Sequence, residues 1–258
     1  MADAMLVSAT AILVVMVTTW LVSLPLRNAS IVDIVWGLGF VVVAWTLRAT
    51  IDGDAGRQTL IAVMVGVWGL RLAGYLAKRN IGHGEDWRYQ AMRRKQGSRF
   101  GLVSLVRVFL FQGVIMWVVS LPVQFASADD TPGIGPLAVM GVLVWLVGLV
   151  FEVVGDAQLA RFKADPANAG KVMSSGLWSL TRHPNYFGDA VVWWGIGIVA
   201  AETGSGVIGL VGPALMTWFL MRVSGVPLLE RSLMKRREGY AEYVARTSAF
   251  FPRPPRKV

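Results

Sequence analysis

The sequence predicts an all-α integral membrane protein: about seven transmembrane helices followed by an amphipathic C-terminal helix lying at the interface. Three observations predict it. Of 258 residues, 55% are hydrophobic and 16% charged, against about 25% charged in a soluble domain, so polar surface is too scarce to cover the chain in water. Apolar runs of about 20 residues, the length that crosses a bilayer as a helix, recur along the chain. The connections between them alternate in charge with every crossing.

The expected spans lie near 5–24, 30–50, 59–77, 104–122, 134–155, 186–201 and 206–224. The first is read as a span, not a signal peptide, because Met1-Ala2-Asp3 supplies no basic n-region and Arg27 stands where a cleavage site would be. Connections 78–103 and 156–185 and the tail after 224 hold most of the lysines and arginines, including Arg93-Arg94-Lys95 and Lys235-Arg236-Arg237. Connections 51–58, 123–133 and 202–205 carry Asp52, Asp54, Asp129, Asp130 and Glu202 against a single Arg57. The positive-inside rule then places the N-terminus outside and the C-terminus in the cytosol. From Pro227 to Arg246, Leu228, Leu229, Leu233, Tyr240, Tyr243 and Val244 alternate with basic residues, the pattern of a helix lying in the interface. A single membrane domain is expected, with the helices of about 5–122 on the substrate side and about 134–258 on the cofactor side.

Composition also excludes. Cysteine is absent, which removes a disulfide scaffold, thiol catalysis and Cys-ligated metal. His83 and His183 are too few for a multi-histidine metal site, so no metal is expected. The net charge of +9 would suggest nucleic acid in a soluble protein. Here the basic residues sit between apolar spans and set orientation, so no nucleic-acid partner is expected, and no obligate protein partner is inferred.

Ionisable side chains at bilayer depth are costly and mark candidate sites. Asp33, Arg71, Glu152, Asp156, Asp189 and Arg222 all fall in the cytosolic halves of their spans, which points to a polar cavity opening to the cytosol. Glu152 and Asp156, four apart, share one helix face, as a snorkelling pair at a helix end also would. Arg71 has the same bland reading. Asp33 has a side chain too short to snorkel far, so it requires a partner or a proton.

The densest polar stretch runs from Ser175 to Asp189. Pro184 suits the first turn of a helix, and Thr181, Arg182, His183, Asn185, Tyr186 and Asp189 crowd its N-terminus. Free N–H groups and the helix dipole make such a terminus an anion site, with Lys163, Lys171 and Arg182 adding positive charge. Taken alone, His183 reads more readily as a structural hydrogen-bonder than as a catalyst. The string Gly204-Ser-Gly206-Val-Ile-Gly209 spells a dinucleotide fingerprint, but that motif works only after a strand in a βαβ unit, and it is set aside. The loop Arg79 to Tyr89 reads as a solvated connection or as a latch over a ligand.

The strings LWSLTRHPNYFGD (177–189), RNIGHGEDWRY (79–89) and GYAEYVARTSAFFP (239–252) together resemble the bacterial membrane proteins grouped with steroid 5α-reductases, over nearly the whole chain from about residue 28. The resemblance implies a seven-helix enzyme of the bacterial inner membrane, using NADPH to reduce the C=C bond of an α,β-unsaturated ketone, a 3-oxo-Δ4-steroid in that family. The substrate would be an apolar, steroid-like enone entering from the membrane lipid. The resemblance maps nucleotide-binding positions onto Glu152 and Asp156, Lys163 and Lys171, Asn185 and Asp189, and Arg222. Arg182, His183 and Tyr186 join them at the same helix mouth. Lysine stands at two positions where the family has arginine, keeping charge but losing bidentate phosphate contact. The family polarises the ketone with a Glu on the second helix and a Tyr on the third. Ungapped counting places these at Asp33 and Trp68, and since Trp68 cannot protonate an oxygen, Arg71 or Tyr75 stands in.

The rival reading is a membrane methyltransferase of the isoprenylcysteine or phospholipid type, which binds S-adenosylmethionine near an Arg-His-Pro-x-Tyr string. Such proteins pair that string with Glu-Glu on the following helix, where this chain has Leu229-Glu230-Arg231.

Overall fold

The computed structural model describes residues 1–256, and among them every regular element is helical. Helices α1 (Ala2–Leu26), α2 (Ile31–Thr50) and α3 (Ala55–Asn80) come first. After a loop follow the short α4 (Trp87–Gln96) and α5 (Phe100–Ser104), a π-helical stretch Leu105–Leu110, α6 (Phe111–Val119) and α7 (Leu121–Ser127). The long α8 (Pro136–Ala164), the one-turn α9 (Leu177–Leu180), α10 (Pro184–Ala201), α11 (Val211–Trp218), α12 (Val226–Arg236) and α13 (Tyr240–Arg246) complete the chain.

Among the described residues, six helical stretches are long and apolar enough to cross a membrane: Ala2–Leu26, Ile31–Thr50, Ala55–Asn80, Trp87–Val119, Pro136–Ala164 and Gly204–Arg236. They bear out an all-α membrane protein. The sixth expected span, 186–201, is present as α10, but its opening turns carry Asn185, Tyr186 and Asp189, and it falls outside that set. The tail expected as one amphipathic helix is two. Gly239, at φ 74, adopts the left-handed conformation that ends the run between α12 and α13.

Contacts divide the chain into two compact units, one of residues 1–138 and 196–212, the other of 139–195 and 213–258. In the first, α1 buries Ala4, Ser8, Ile12, Met16, Thr19 and Ser23. That stripe recurs every three or four residues, while Leu6, Leu13 and Leu21 stay exposed, as lipid-facing residues should. α2 and α3 pack through glycine: a β-carbon at Gly37 would lie 2.5 Å from the Gly69 carbonyl oxygen, and one at Gly69 2.6 Å from that of Gly37. The Asp54 side chain caps α3 by accepting from the Arg57 N–H at 2.7 Å. Buried Arg57 donates to the carbonyls of Thr131 (3.0 Å) and Gly133 (2.8 Å). Glu202 accepts from the N–H groups of Gly135 and Ala138 at the start of α8. The Gly204–Gly209 string forms a 3-10 turn in this unit, and a β-carbon at Gly209 would press on Pro122 at 2.8 Å. Gly206 and Gly209 thus serve close backbone packing.

In the second unit a stripe of glycines joins α8 to α10. A β-carbon at Gly148 would meet the Gly188 carbonyl oxygen at 2.7 Å, one at Gly188 the Gly148 oxygen at 2.6 Å, and one at Gly195 the Gly141 oxygen at 2.7 Å. Gly155 continues the stripe, its absent β-carbon 3.2 Å from Pro184. Gly141, Gly148 and Gly155 repeat every seven residues, so they share one face of α8 and let the two backbones approach closely, as small residues do between membrane helices.

Candidate functional site

In the second unit the close approach of α8 and α10 decides which polar groups meet. Glu152 and Asp156, on one face of α8, are 2% and 4% exposed. The Asn185 side-chain amide donates to Asp156 Oδ1 at 3.3 Å, and Asn185 Oδ1 accepts from the Tyr186 N–H at 3.1 Å. Gly188 leaves room for Glu152, whose Cγ would lie 2.8 Å from a β-carbon there. Asp189 is half-buried one turn along α10 from Asn185. Two buried carboxylates and an amide therefore line up beside the first turns of α10. Gln158, one turn below, accepts from the Leu177 N–H at 3.0 Å. The Trp178 indole donates to the Gly155 carbonyl at 3.0 Å. Both fix the connection entering α10. Lys163 and Lys171 are exposed, and Arg222 is exposed on the π-helical stretch Phe219–Val223.

Arg182 and His183 face another way. Arg182 Nε donates to Glu230 Oε1 at 2.7 Å and Nη2 to Oε2 at 3.2 Å, a bidentate pair. Its Nη1 donates to the carbonyl oxygens of Thr247 and Val244. His183 Nε2 lies 3.1 Å from Glu230 Oε1, and the His183 ring stacks on Tyr186 at 5.4 Å and 7°. The backbone is tied in the same place: Thr181 bridges Ser248, its hydroxyl donates to the Phe250 carbonyl at 2.8 Å, and the Tyr243 hydroxyl donates to the Trp178 carbonyl at 2.5 Å. The Thr-Arg-His run thus clasps α12, α13 and the segment after them. Burial, reinforced by the Glu230 charge, pushes the Tyr240 phenol up to about 12, so it stays protonated. Glu230, which the sequence offered only as the single acid at the methyltransferase Glu-Glu position, is not among the expected cofactor residues, yet it is the partner of both Arg182 and His183.

In the first unit the loop from Arg79 to Tyr89 docks on the start of α2. Glu85 accepts from the Ala29 N–H at 2.8 Å and pairs bidentately with Arg93 at 2.8 and 2.9 Å. The Asp86 N–H donates to the Ser30 hydroxyl at 2.8 Å. Burial works to raise both carboxylates, but it is outweighed. The Arg93 hydrogen bond, the Ala29 N–H and the Arg93 charge hold Glu85 below the usual carboxylate range, and Arg88 does the same for Asp86. Asp33 receives Arg88 Nη2 at 2.7 Å on one oxygen and the Tyr89 hydroxyl at 2.8 Å on the other. The partner that Asp33 requires is supplied by α4, so the latch closes over the head of α2. Arg71 and Tyr75 sit one turn apart on α3, both half-buried, with the Arg79 guanidinium 5.8 Å from the Tyr75 ring centre. Among the described residues no group of His, Asp and Glu is arranged to hold a metal.

The profile of the family described as "Protein of unknown function (DUF1295)" matches residues 19–247. The chain belongs to that family. It is 35% identical over 103 residues to the probable O-methyltransferase of Ustilaginoidea virens, 39% of this chain and 34% of that protein. It is 30% identical over 100 residues to 3-oxo-5-alpha-steroid 4-dehydrogenase 1 of Rattus norvegicus, 38% of this chain and 39% of that protein. The chain thus aligns with little more than a third of either relative's length. No solved structure matches it.

Proposed function

We propose that this DUF1295 protein is an NADPH-dependent membrane reductase that saturates the C=C bond of an apolar α,β-unsaturated ketone of the 3-oxo-Δ4-steroid type. The observation that carries the reading is the set of Glu152, Asp156 and Asn185 on two closely packed helices. Buried carboxylates with an adjacent amide are acceptors and donors suited to ribose hydroxyls and a carboxamide. The likeness to the rat steroid dehydrogenase supports the same reading. NADPH would be held by Glu152, Asp156, Asn185 and Asp189, with the exposed cations of Lys163, Lys171 and Arg222 toward its phosphates, and it supplies a hydride to the β-carbon of the enone. Arg182, expected at the phosphates, and His183, expected among the cofactor-binding residues, act instead by holding the C-terminal segment and the ring of Tyr186.

On the substrate side, negative charge develops on the ketone oxygen as the β-carbon is reduced, and a positioned donor lowers that barrier by about 10²–10³ in rate. Asp33 is already engaged by Arg88 and Tyr89, so its part is to hold the latch, while Arg71 or Tyr75 polarises the oxygen. The membrane would be the bacterial inner membrane, with the cofactor side toward the cytosol and the N-terminus outside.

A second reading, methyl transfer from S-adenosylmethionine, draws on a specific observation: Glu230 pairs with the Arg-His of the Arg-His-Pro-x-Tyr string, and the fungal relative carries an O-methyltransferase name. Thermal unfolding of purified protein with NADPH or with S-adenosylmethionine decides. NADPH should raise the unfolding temperature, and Asn185→Ala should abolish that rise. A rise with S-adenosylmethionine alone replaces the reductase reading with methyl transfer.

A further inference from the structure

We infer that α12 binds the phosphate headgroup of an anionic phospholipid through Arg231 and Lys235. A cleft of about 440 Å³ runs along this helix, lined by Pro227, Glu230, Arg231, Met234 and Lys235. Their spacing of three and four residues puts them on one helix face.

The charge in this cleft is decided by where Glu230 looks. Both of its oxygens are taken by Arg182, and one also faces His183, so the cleft's acid is already neutralised. Arg231 and Lys235 are exposed, one turn apart, with no protein partner for either cation among the described residues. The cleft therefore offers two uncompensated positive charges beside the hydrocarbon of Pro227 and Met234. A phosphate fits between two such cations.

The surroundings favour a lipid as the source of that phosphate. Met234 in the cleft is 52% exposed, and elsewhere on the same helix Leu228 and Leu229 are 37% and 40% exposed, apolar area that a free anion leaves in water and a lipid covers. α12 also closes the apolar stretch Gly204–Arg236, which brings it to a membrane surface. Arg236 and Arg237 raise the basic cluster to four residues in sequence with that stretch, the number at which anionic-lipid recruitment begins. The inference stands apart from the choice between reductase and methyltransferase.

The test uses the full-length protein in neutral detergent, titrated separately with dispersed phosphatidylglycerol, phosphatidylcholine and inorganic phosphate. Native mass spectrometry reads retained lipid, and unfolding temperature reads stabilisation. Phosphatidylglycerol should bind and stabilise well beyond phosphatidylcholine. R231Q/K235Q should weaken phosphatidylglycerol binding about 30-fold, on the worth of basic residues at a lipid surface, while R94Q/K95Q on α4 leaves it unchanged. The charge-conserving R231K/K235R should retain it, which separates lost binding from a misfolded helix. Equal binding of the two lipids by wild type overturns the inference, as does wild-type affinity in R231Q/K235Q or an equal loss in R94Q/K95Q. Displacement of phosphatidylglycerol by inorganic phosphate would show a site for free anions in its place.

Discussion

Replacing Glu230 with alanine removes one small side chain and leaves three donors facing nothing. Arg182 Nε and Nη2 and the ring of His183 all converge on its carboxylate, and the Arg182 side chain is only 8% exposed. Stranding a buried charge in this way costs about 3–5 kcal/mol. Two features reduce that here. Nη1 of Arg182 keeps its bonds to Thr247 and Val244, and Glu230 is 21% exposed, so water reaches the vacated place. The expected loss is about 2–3 kcal/mol, or about 4–12 °C in unfolding temperature for a chain of this size. Tryptophan fluorescence on heating reads it directly. E230Q, which keeps the shape and one acceptor, should lose less than half as much. The pair is tested by adding R182M: with the cation gone, E230A should cost little further, a coupling well above the roughly 0.3–0.5 kcal/mol within which independent sites add. An E230A protein melting within a degree of wild type, or a cycle that adds, would refute the clasp as a source of stability.

Other expectations follow from the same geometry. G188A should destabilise by about 1–3 kcal/mol, because its methyl group would press on Gly148 O, Glu152 N and Glu152 Cγ, all under 3.0 Å. If it also displaces Glu152, NADPH stabilisation should fall with it; wild-type melting and cofactor response would show that α8 and α10 are less tightly apposed. Glu85 titrates below its ordinary value of 4.5, so the stability it lends is fully present above that pH and is lost as pH falls through its lowered folded value. Hydrogen-exchange protection of residues 81–86, taken relative to the intrinsic rate at each pH, should fall in that acid window, and E85Q should show low protection throughout; wild-type protection that ignores pH would sink this account. Y243F deletes the hydroxyl donated to the buried Trp178 carbonyl and should cost about 1–2 kcal/mol, read as a lower denaturation midpoint.

The legible part of this protein was whatever depends on local composition. Apolar run length announced the helices, and the polar cost of Asn185, Tyr186 and Asp189 explains why α10 reads as the weakest span. The crowding of polar groups from Thr181 to Asp189 was visible in sequence because it is contiguous. Its division of labour was not. Arg182 carries the same charge whether it meets a phosphate or a carboxylate, and Glu230, 48 residues away, becomes its partner only when α12 folds back. Asp33 likewise demanded a partner on grounds of cost alone, but nothing local distinguishes Arg71, on the next helix, from Arg88 and Tyr89, on a loop helix 55 residues on.

The glycines mark the same boundary from the other side. As letters, Gly141, Gly148, Gly155, Gly188 and Gly195 are isolated small residues in apolar helices, tolerated at some cost in propensity. Packed, they leave out the side chains that would hold α8 and α10 apart, and so bring Asp156 within a hydrogen bond of Asn185. Sequence by itself determined the solvent this chain folds in and the segments that cross it, because hydrophobic transfer sums over neighbours. Tertiary structure decided which charges meet, because an ion pair depends on a distance between residues that the chain order does not record.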